Sequence, residues 1–147
     1  MIEKPLPHLQ DLGVLFQNPV HLIRYVSADF GDFKRTYFVN DTGIRVGIVG
    51  ILDERVLLVE QYRLLTNSYS LEIPGGSVDS PESPREAAIR EFREETGYNC
   101  LDVKQIAFYY PGLDTANNPT HIFLSHQIEL DLTDEINRHP NEGSTRK

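Results

Sequence analysis

Cysteine is almost absent from this sequence, which has only Cys100 among 147 residues. A single cysteine excludes an internal disulfide and a zinc site built from several thiolates, so we interpret Cys100 as a small buried residue. No apolar run approaches the roughly 20 residues that a membrane-spanning helix needs. The first residues also lack the apolar segment of a signal peptide. We therefore expect a cytoplasmic protein that does not span a membrane.

Positive charge is also scarce, since 14 Lys and Arg residues face 22 Asp and Glu residues and give a formal net charge of −8. Binding to a nucleic-acid backbone depends on clustered positive charge, and no such cluster is present, so we expect no nucleic-acid partner. A hydrophobic content of 39% and a charged content of 24% are ordinary for a folded domain. The acidic surplus is either spread over the surface or concentrated where a cation binds.

The N-terminal part has a pattern of its own. Pro5 and Pro7 predict a loose arm over residues 1–10. Alternating apolar residues at 20–26, a turn and an extended run at 35–39 predict a hairpin. We therefore divide the chain into an arm and hairpin extension over 1–40 and a main domain over 41–147.

The main domain contains several strand-like runs. Residues 44–52 and 55–61 are predicted to be antiparallel strands joined by a turn at Asp53 and Glu54. Further strands are predicted at the following places: 69–73, 103–110 and 121–130, the last with Ile122, Leu124, Ile128 and Leu130 on one face. The fold class is therefore α/β or α+β, with a mixed sheet packed against a helix.

The helix is predicted over residues 84–96. Ser83, Pro84 and Glu86 form a capping box with proline at the first helical position, and Gly97 is suited to end the helix in the left-handed conformation. An apolar stripe of Ala88, Ile89 and Phe92 is expected to face the sheet.

Glu91, Glu94 and Glu95 are three or four residues apart on this helix and can reach a common region. The like-charge pair at i,i+4 and the negative end of the helix dipole both oppose this placement. One interpretation is a site for Mg²⁺ or Mn²⁺, which prefer oxygen ligands. The other is a solvated acidic face in which Arg90 and Arg93 pair with the glutamates.

The residues around the helix match a longer pattern. Gly76, Glu82 and residues 90–98 fit G-x5-E-x7-R-E-U-x-E-E-x-G-U, in which U is apolar, at every fixed position. The chain therefore resembles the Nudix hydrolases, which cleave a diphosphate linked to another moiety, usually a nucleoside, with Mg²⁺ or Mn²⁺. The resemblance implies an α/β/α sandwich with a mixed sheet.

The resemblance also implies residue roles. Glu91 and Glu95 correspond to metal ligands, and Glu94 to a further ligand or a base. The carbonyl of Gly75 corresponds to another ligand, and Arg90 to the arginine that orients a glutamate. The remaining roles concern the loop and the helix end. Glu82 is expected to anchor the loop, with metal contact as the less favoured alternative, Gly76 to permit close approach to the metal and Gly97 to stop the helix.

Residues 58–63, residues 71–76 and Pro111 resemble the ADP-ribose pyrophosphatase branch of the family. In that branch the positions of Arg63 and Glu72 lie near the substrate, whereas the alternative is a structural ion pair. The N-terminal strands, here residues 19–39, take part in a homodimer there. For the aromatic residues of this segment we favour core or dimer packing over stacking on a base; they are Tyr25, Phe30, Phe33 and Tyr37.

Two features depart from the branch. Its members usually carry an acidic residue in the loop after the proline, and in residues 110–119 only Asp114 is acidic, so Asp114 is our candidate catalytic residue. His121 is a second possibility, but a lone histidine at a strand start is more often structural. The C-terminal segment 131–147 is polar and lacks the amphipathic helix that many members have.

The resulting hypothesis is a metal-dependent hydrolase of ADP-ribose or a related nucleotide sugar, a small-molecule nucleoside diphosphate derivative, acting as a homodimer. The alternative is a non-catalytic Nudix-like nucleotide sensor, against which the intact carboxylate pattern argues. RNA decapping is disfavoured because no basic surface is indicated.

Overall fold

The computed structural model describes residues 5–132. Contacts divide the chain into two compact units, one formed by the residues up to Gly43 with Tyr110–Pro119, the other by Ile44–Tyr109 with the residues from Thr120 onward. The elements are β1 His8–Gln17, β2 Leu22–Asp29, β3 Lys34–Asp41, β4 Arg45–Leu52, β5 Arg55–Leu57, β6 Val59–Arg63, β7 Ser68–Glu72, β8 Gly75–Ser77, α1 Pro84–Thr96, β9 Tyr98–Cys100, β10 Lys104–Tyr109, β11 Ala116–Asn117, β12 Thr120–Ser125 and β13 Ile128–Leu130.

The first unit is a four-stranded sheet in the order β1-β2-β3-β11, with antiparallel pairing except between β3 and β11. The predicted hairpin is confirmed as β2 and β3. The predicted loose arm is wrong for residues 8–10, because β1 begins at His8. Register shifts at Asp11/Gly13 and Val14/Phe16 interrupt the alternation of β1, so its pattern gave no strand signal.

The second unit contains a mixed sheet in the order β10-β12-β4-β5, with β8 also paired to β4. β12 runs parallel to β4, whereas the other pairs are antiparallel. The predicted turn between β4 and β5 is confirmed, with φ of 50° at Asp53 and 61° at Glu54. Two successive positive φ values suit a tight hairpin whose strands twist in the normal sense.

The predicted strand over 121–130 is wrong as a single element, because β12 ends at Ser125 and β13 begins at Ile128. One carboxylate oxygen of Asp102 accepts hydrogen bonds from the Ser125 hydroxyl at 2.7 Å and from the backbone N–H groups of His126 at 3.0 Å and Gln127 at 2.8 Å. These bonds fix the backbone between the strands, and β13 pairs with β9. The buried residues of β12 include Phe123 and Ser125 rather than the predicted face.

Helix α1 is confirmed at its predicted bounds. Both hydrogen bonds of the capping box are present at Ser83, and Gly97 ends the helix with φ of 76°. Ala88 and Phe92 are fully buried as predicted, but Ala87 replaces Ile89, which is half-buried. The core of the unit consists of Val46, Ile48, Ala87, Ala88, Phe92, Cys100 and Phe123.

The fold is therefore mixed α and β, as predicted, with one helix among residues 5–132. Cys100 is buried as expected, and burial raises the pKa of its thiol to about 11. No helix within residues 5–132 is both long enough and apolar enough to cross a membrane. The part of the predicted polar tail beyond Leu132 lies outside the described residues.

Candidate functional site

Arg90 lies at the centre of a charged network on α1. Its Nε and Nη2 atoms donate to the two carboxylate oxygens of Glu82 at 3.1 Å and 2.7 Å. Nη1 donates to Glu91 at 3.0 Å and to Glu94 at 3.2 Å, and Nη2 also donates to the carbonyl of Ser77 at 3.0 Å. The bonds to Glu82 are the main reason why the pKa of Arg90 is raised. One guanidinium thus holds three carboxylates and the loop before the helix.

Glu82 connects this network to the loop that precedes α1. One of its carboxylate oxygens accepts the backbone N–H of Asp79 at 2.8 Å, and the Glu82 N–H donates to the Asp79 carbonyl at 2.8 Å. Arg90 holds the pKa of Glu82 below its usual range. These contacts are what a loop anchor requires, which is the role expected for Glu82.

Glu95 has different partners from those of the other two helix carboxylates. One oxygen accepts from Gln61 Nε2 at 2.8 Å, and the other accepts from the backbone N–H of Gly75 at 2.9 Å. Burial raises the pKa of Glu95, and the nearby charge of Glu91 acts in the same direction. This carboxylate is therefore partly withdrawn from water and held by neutral donors.

Gly75 and Gly76 lie on β8, directly beside these carboxylates. Gly76 pairs with Val46 of β4, and a Cβ at position 76 would collide with the Glu91 carboxylate. A Cβ at Gly75 would lie only 2.8 Å from the Cα of Gly47 and would also strike the carbonyl oxygen of Val46. A side chain at position 75 would meet backbone atoms of β4, whereas a side chain at position 76 would have to displace the Glu91 carboxylate.

The chemistry of the three helix carboxylates suits a divalent cation. Glu91, Glu94 and Glu95 offer only oxygen atoms, the ligands that Mg²⁺ and Mn²⁺ prefer. Glycine at position 76 leaves room at the Glu91 carboxylate. In the part of the chain that the structure describes, no three acidic, histidine or cysteine side chains are already gathered as a metal site. Glu91 and Glu94 instead turn towards Arg90.

Arg63 and Glu72 lie on the hairpin formed by β6 and β7, as an exposed ion pair. Arg63 Nε donates to Glu72 at 2.7 Å, and Nη2 donates to the second oxygen. The pair lowers the pKa of Glu72 and raises that of Arg63. The ion pair that we considered as the structural alternative is therefore present, while contact with a substrate stays a prediction.

Asp114 belongs to the other compact unit. It lines an apolar cavity of about 530 Å³ in that unit together with Phe30, Tyr37 and Leu113, among others. The contacts described above join Glu82, Arg90, Glu91, Glu94, Glu95, Gly75 and Gly76 within one unit, and Asp114 belongs to the other. His121 lies against Phe108, with ring centroids 4.8 Å apart.

Gln61 is the residue that sequence reasoning missed. It is outside the matched pattern, and its contact with Glu95 joins residues 34 positions apart. The only sequence signal was its place in residues 58–63, beside Arg63. A contact of this range becomes visible only when β6 and α1 are packed together.

The arrangement of strands and helix is one that is already known in solved structures. An ADP compounds hydrolase superposes with a TM-score of 0.77 over 89% of this chain and 72% of that one, at 22% identity. At this identity the likeness concerns the fold. The NUDIX domain profile matches residues 41–146. The chain belongs to the NUDIX domain family.

Curated relatives share parts of the sequence. The CMP-5'-(N-acetyl-N-hydroxy-3-aminopropyl)phosphonate hydrolase of Streptomyces rubellomurinus is 32% identical over 118 residues, 76% of this chain and 57% of that protein. The ADP-ribose pyrophosphatase of Bacillus subtilis is 30% identical over 86 residues, 58% of this chain and 46% of that protein. The chain thus spans about half the length of these two relatives.

Proposed function

We propose that this chain is a hydrolase that cleaves the diphosphate of a small nucleoside diphosphate derivative, with ADP-ribose or a related nucleotide sugar as the first candidate. The observation that carries the proposal is the packing of Glu91, Glu94 and Glu95 of α1 around Arg90 and the Gly75–Gly76 backbone. Membership of the NUDIX domain family and similarity to a protein named ADP-ribose pyrophosphatase support it.

Mg²⁺ is the metal we propose, with Mn²⁺ as the alternative, held by Glu91, Glu94, Glu95 and the carbonyl of Gly75. When bound, a divalent cation neutralises diphosphate charge and activates water for attack. The chain's own groups prepare the site for it. Arg90 keeps Glu91 and Glu94 side by side, and the neutral donors Gln61 and Gly75 fix the Glu95 carboxylate.

In the proposed reaction, water attacks one phosphorus, the bond from that phosphorus to the bridging oxygen breaks, and two phosphate monoesters are formed. A carboxylate must accept the proton of the attacking water. Glu94 is one candidate for this proton acceptor. Its side chain is 52% exposed, and in the described network it accepts one hydrogen bond, from Arg90. Asp114, an exposed residue of the loop after Pro111, is the other.

The nucleoside is the least constrained part of the proposal. One relative is named for a CMP-linked phosphonate and another for ADP-ribose. Hydrolysis of ADP-ribose, ADP-sugars and CMP-linked compounds with Mg²⁺, followed by ³¹P NMR, tests the proposal. We expect phosphate monoester signals from at least one of them. Tight binding of an intact nucleotide without turnover would instead favour the nucleotide sensor, and no binding or turnover would refute both.

We also propose a homodimer in which residues 19–39 take part. The support is exposed aromatic surface in this segment, where Phe38 of β3 and Phe33 of the turn before β3 are each 57% exposed. Such aromatic surface is more typical of an interface than of a solvated sheet. Sedimentation of the protein at micromolar concentration should show twice the chain mass of 16.8 kDa, and Phe38→Asp should shift it towards the monomer. A wild-type monomer would contradict the proposal. The cytoplasmic location stays a prediction.

A further inference from the structure

Gln61 lies on β6, on the face of the β6–β7 hairpin that is turned towards α1. Residues Val59 and Gln61 are half-buried, whereas Glu60 and Tyr62 between and after them are exposed. The strand pairs Gln61 with Ser70 across the hairpin. Its side chain is therefore held on the inner face by the regular alternation of the strand.

The amide of Gln61 has one defined partner, the carboxylate of Glu95, at 2.8 Å. An ionised carboxylate only accepts hydrogen bonds, so the NH₂ group of the amide must face it. The second carboxylate oxygen is held at 2.9 Å by the N–H of Gly75. Two donors from two different strands thus fix both the position and the rotation of this carboxylate.

The groups that donate hydrogen bonds to Glu95 are neutral, whereas the group that donates to Glu91 and Glu94 is charged. Glu91 and Glu94 share the cationic Arg90, which offsets part of their negative charge. Gln61 and the Gly75 backbone are neutral, so they orient Glu95 without supplying a countercharge. The positive charge of Arg63, two residues along β6, also acts on Glu95. A carboxylate that is held in place by hydrogen bonds is suited to bind a cation, because little reorganisation is needed.

We propose that Gln61 is a positioning residue that orients Glu95 for a divalent cation. The inference rests on the proposed function, in which Glu95 is a metal ligand. With this role for Gln61, strand β6 contributes a second residue to the site besides the exposed Arg63. It also explains why an amide, which can donate without carrying charge, stands at this place.

The test is direct binding of Mn²⁺ to the metal-free protein, measured by titration calorimetry and by the electron paramagnetic resonance of free Mn²⁺. Gln61→Met keeps the length of the side chain and removes the donor. Gln105→Met is the matched control, since Gln105 lies on β10 and contacts His121 rather than a carboxylate. We expect the affinity of Gln61→Met to fall about 10-fold or more, as is typical when an outer partner of a metal ligand is removed, while the control stays within about twofold.

Catalysis gives a second readout that a purely structural role would not change. The kcat of Gln61→Met at low Mg²⁺ should fall and should recover as Mg²⁺ is raised, while the KM for the nucleotide at saturating Mg²⁺ stays near that of the wild type. If the methionine variant unfolds at a lower temperature than the control, Gln61→Ala provides the same comparison without added bulk.

The outcomes separate this inference from the proposed function. Wild-type binding of Mn²⁺ with unchanged affinity in Gln61→Met overturns the role of Gln61 and leaves the metal site standing. Failure of the wild type to bind Mn²⁺ overturns both. Equal losses in Gln61→Met and Gln105→Met would show a general effect of the substitution and would also overturn the role of Gln61.

Discussion

Gly76→Ala is expected to damage function more than stability. The new Cβ would occupy the space of the Glu91 carboxylate, which is the end of a flexible side chain and can move aside. In moving, it gives up its 3.0 Å hydrogen bond to Arg90 and its place beside the Gly75–Gly76 backbone. The backbone of β8 need not change.

The structure sets the scale of the two effects. A hydrogen bond to a charged group contributes about 1.5–3 kcal/mol to stability. Arg90 keeps its bonds to Glu82 and Glu94 when Glu91 moves, so only part of this contribution is lost. We therefore expect a loss of about 1 kcal/mol in the free energy of unfolding. For a chain of this size, that lowers the Tm by about 2–4 °C. The kcat should fall by about 100-fold, because Glu91 is one of the proposed metal ligands and would be displaced.

Gly75→Ala provides the contrast within the same strand. Its Cβ meets backbone atoms of β4, the Val46 carbonyl and the Gly47 Cα, which cannot swing aside. Overpacking of this kind costs about 1–3 kcal/mol or more, so this variant should lose more stability than Gly76→Ala. Urea unfolding and steady-state kinetics on both variants make the comparison. A wild-type kcat in Gly76→Ala, or a lower stability than that of Gly75→Ala, would contradict these expectations.

Three further predictions concern single residues. Arg63→Lys should raise the KM about 10-fold if Arg63 contacts a phosphate, since lysine lacks the two-pronged guanidinium. The Tm should change little, because the ion pair is exposed. An unchanged KM would leave Arg63 with the structural ion pair as its role. Asp102 has a lowered pKa because of its bond to Ser125, so its stabilising effect is present above the ordinary aspartate pKa of 3.8 and is lost as the pH falls through the lower folded value. In urea unfolding, the free energy of unfolding should thus be lower for Asp102→Asn than for the wild type at pH 7, and this difference should shrink in acid. A difference in free energy that does not change with pH would contradict this prediction. Asp114→Asn should lower kcat about 100-fold or more if Asp114 is the base, and wild-type kinetics would exclude it.

Local patterns were sufficient for some elements and not for others. The helix was predictable to the residue because Ser83, Glu86 and Gly97 act within one turn of its ends. The turn at Asp53 and Glu54 was predictable for the same reason. β1 was missed, because its exposed residues and two bulges erase the alternation that marks a strand.

Contacts between distant parts of the chain explain the other differences. The break between β12 and β13 is stabilised by Asp102, which lies more than 20 positions earlier in the sequence. The pairing of Gln61 with Glu95 is likewise set by the packing of β6 against α1. In the site, the pairing of Arg90 with the helix glutamates was predicted from the sequence. Spacing on one helix could not predict that neutral donors from β6 and β8 hold Glu95.

We propose that the α1 carboxylates carry metal-dependent diphosphate hydrolysis. The most direct test of this claim is the Mg²⁺-dependent kcat of Glu95→Gln beside that of Glu129→Gln, an exposed glutamate on β13, with the best substrate of the wild type. We expect kcat to fall by at least about 100-fold in Glu95→Gln and to stay unchanged in Glu129→Gln, with similar unfolding of both variants. A Glu95→Gln variant with wild-type kcat would contradict the claim.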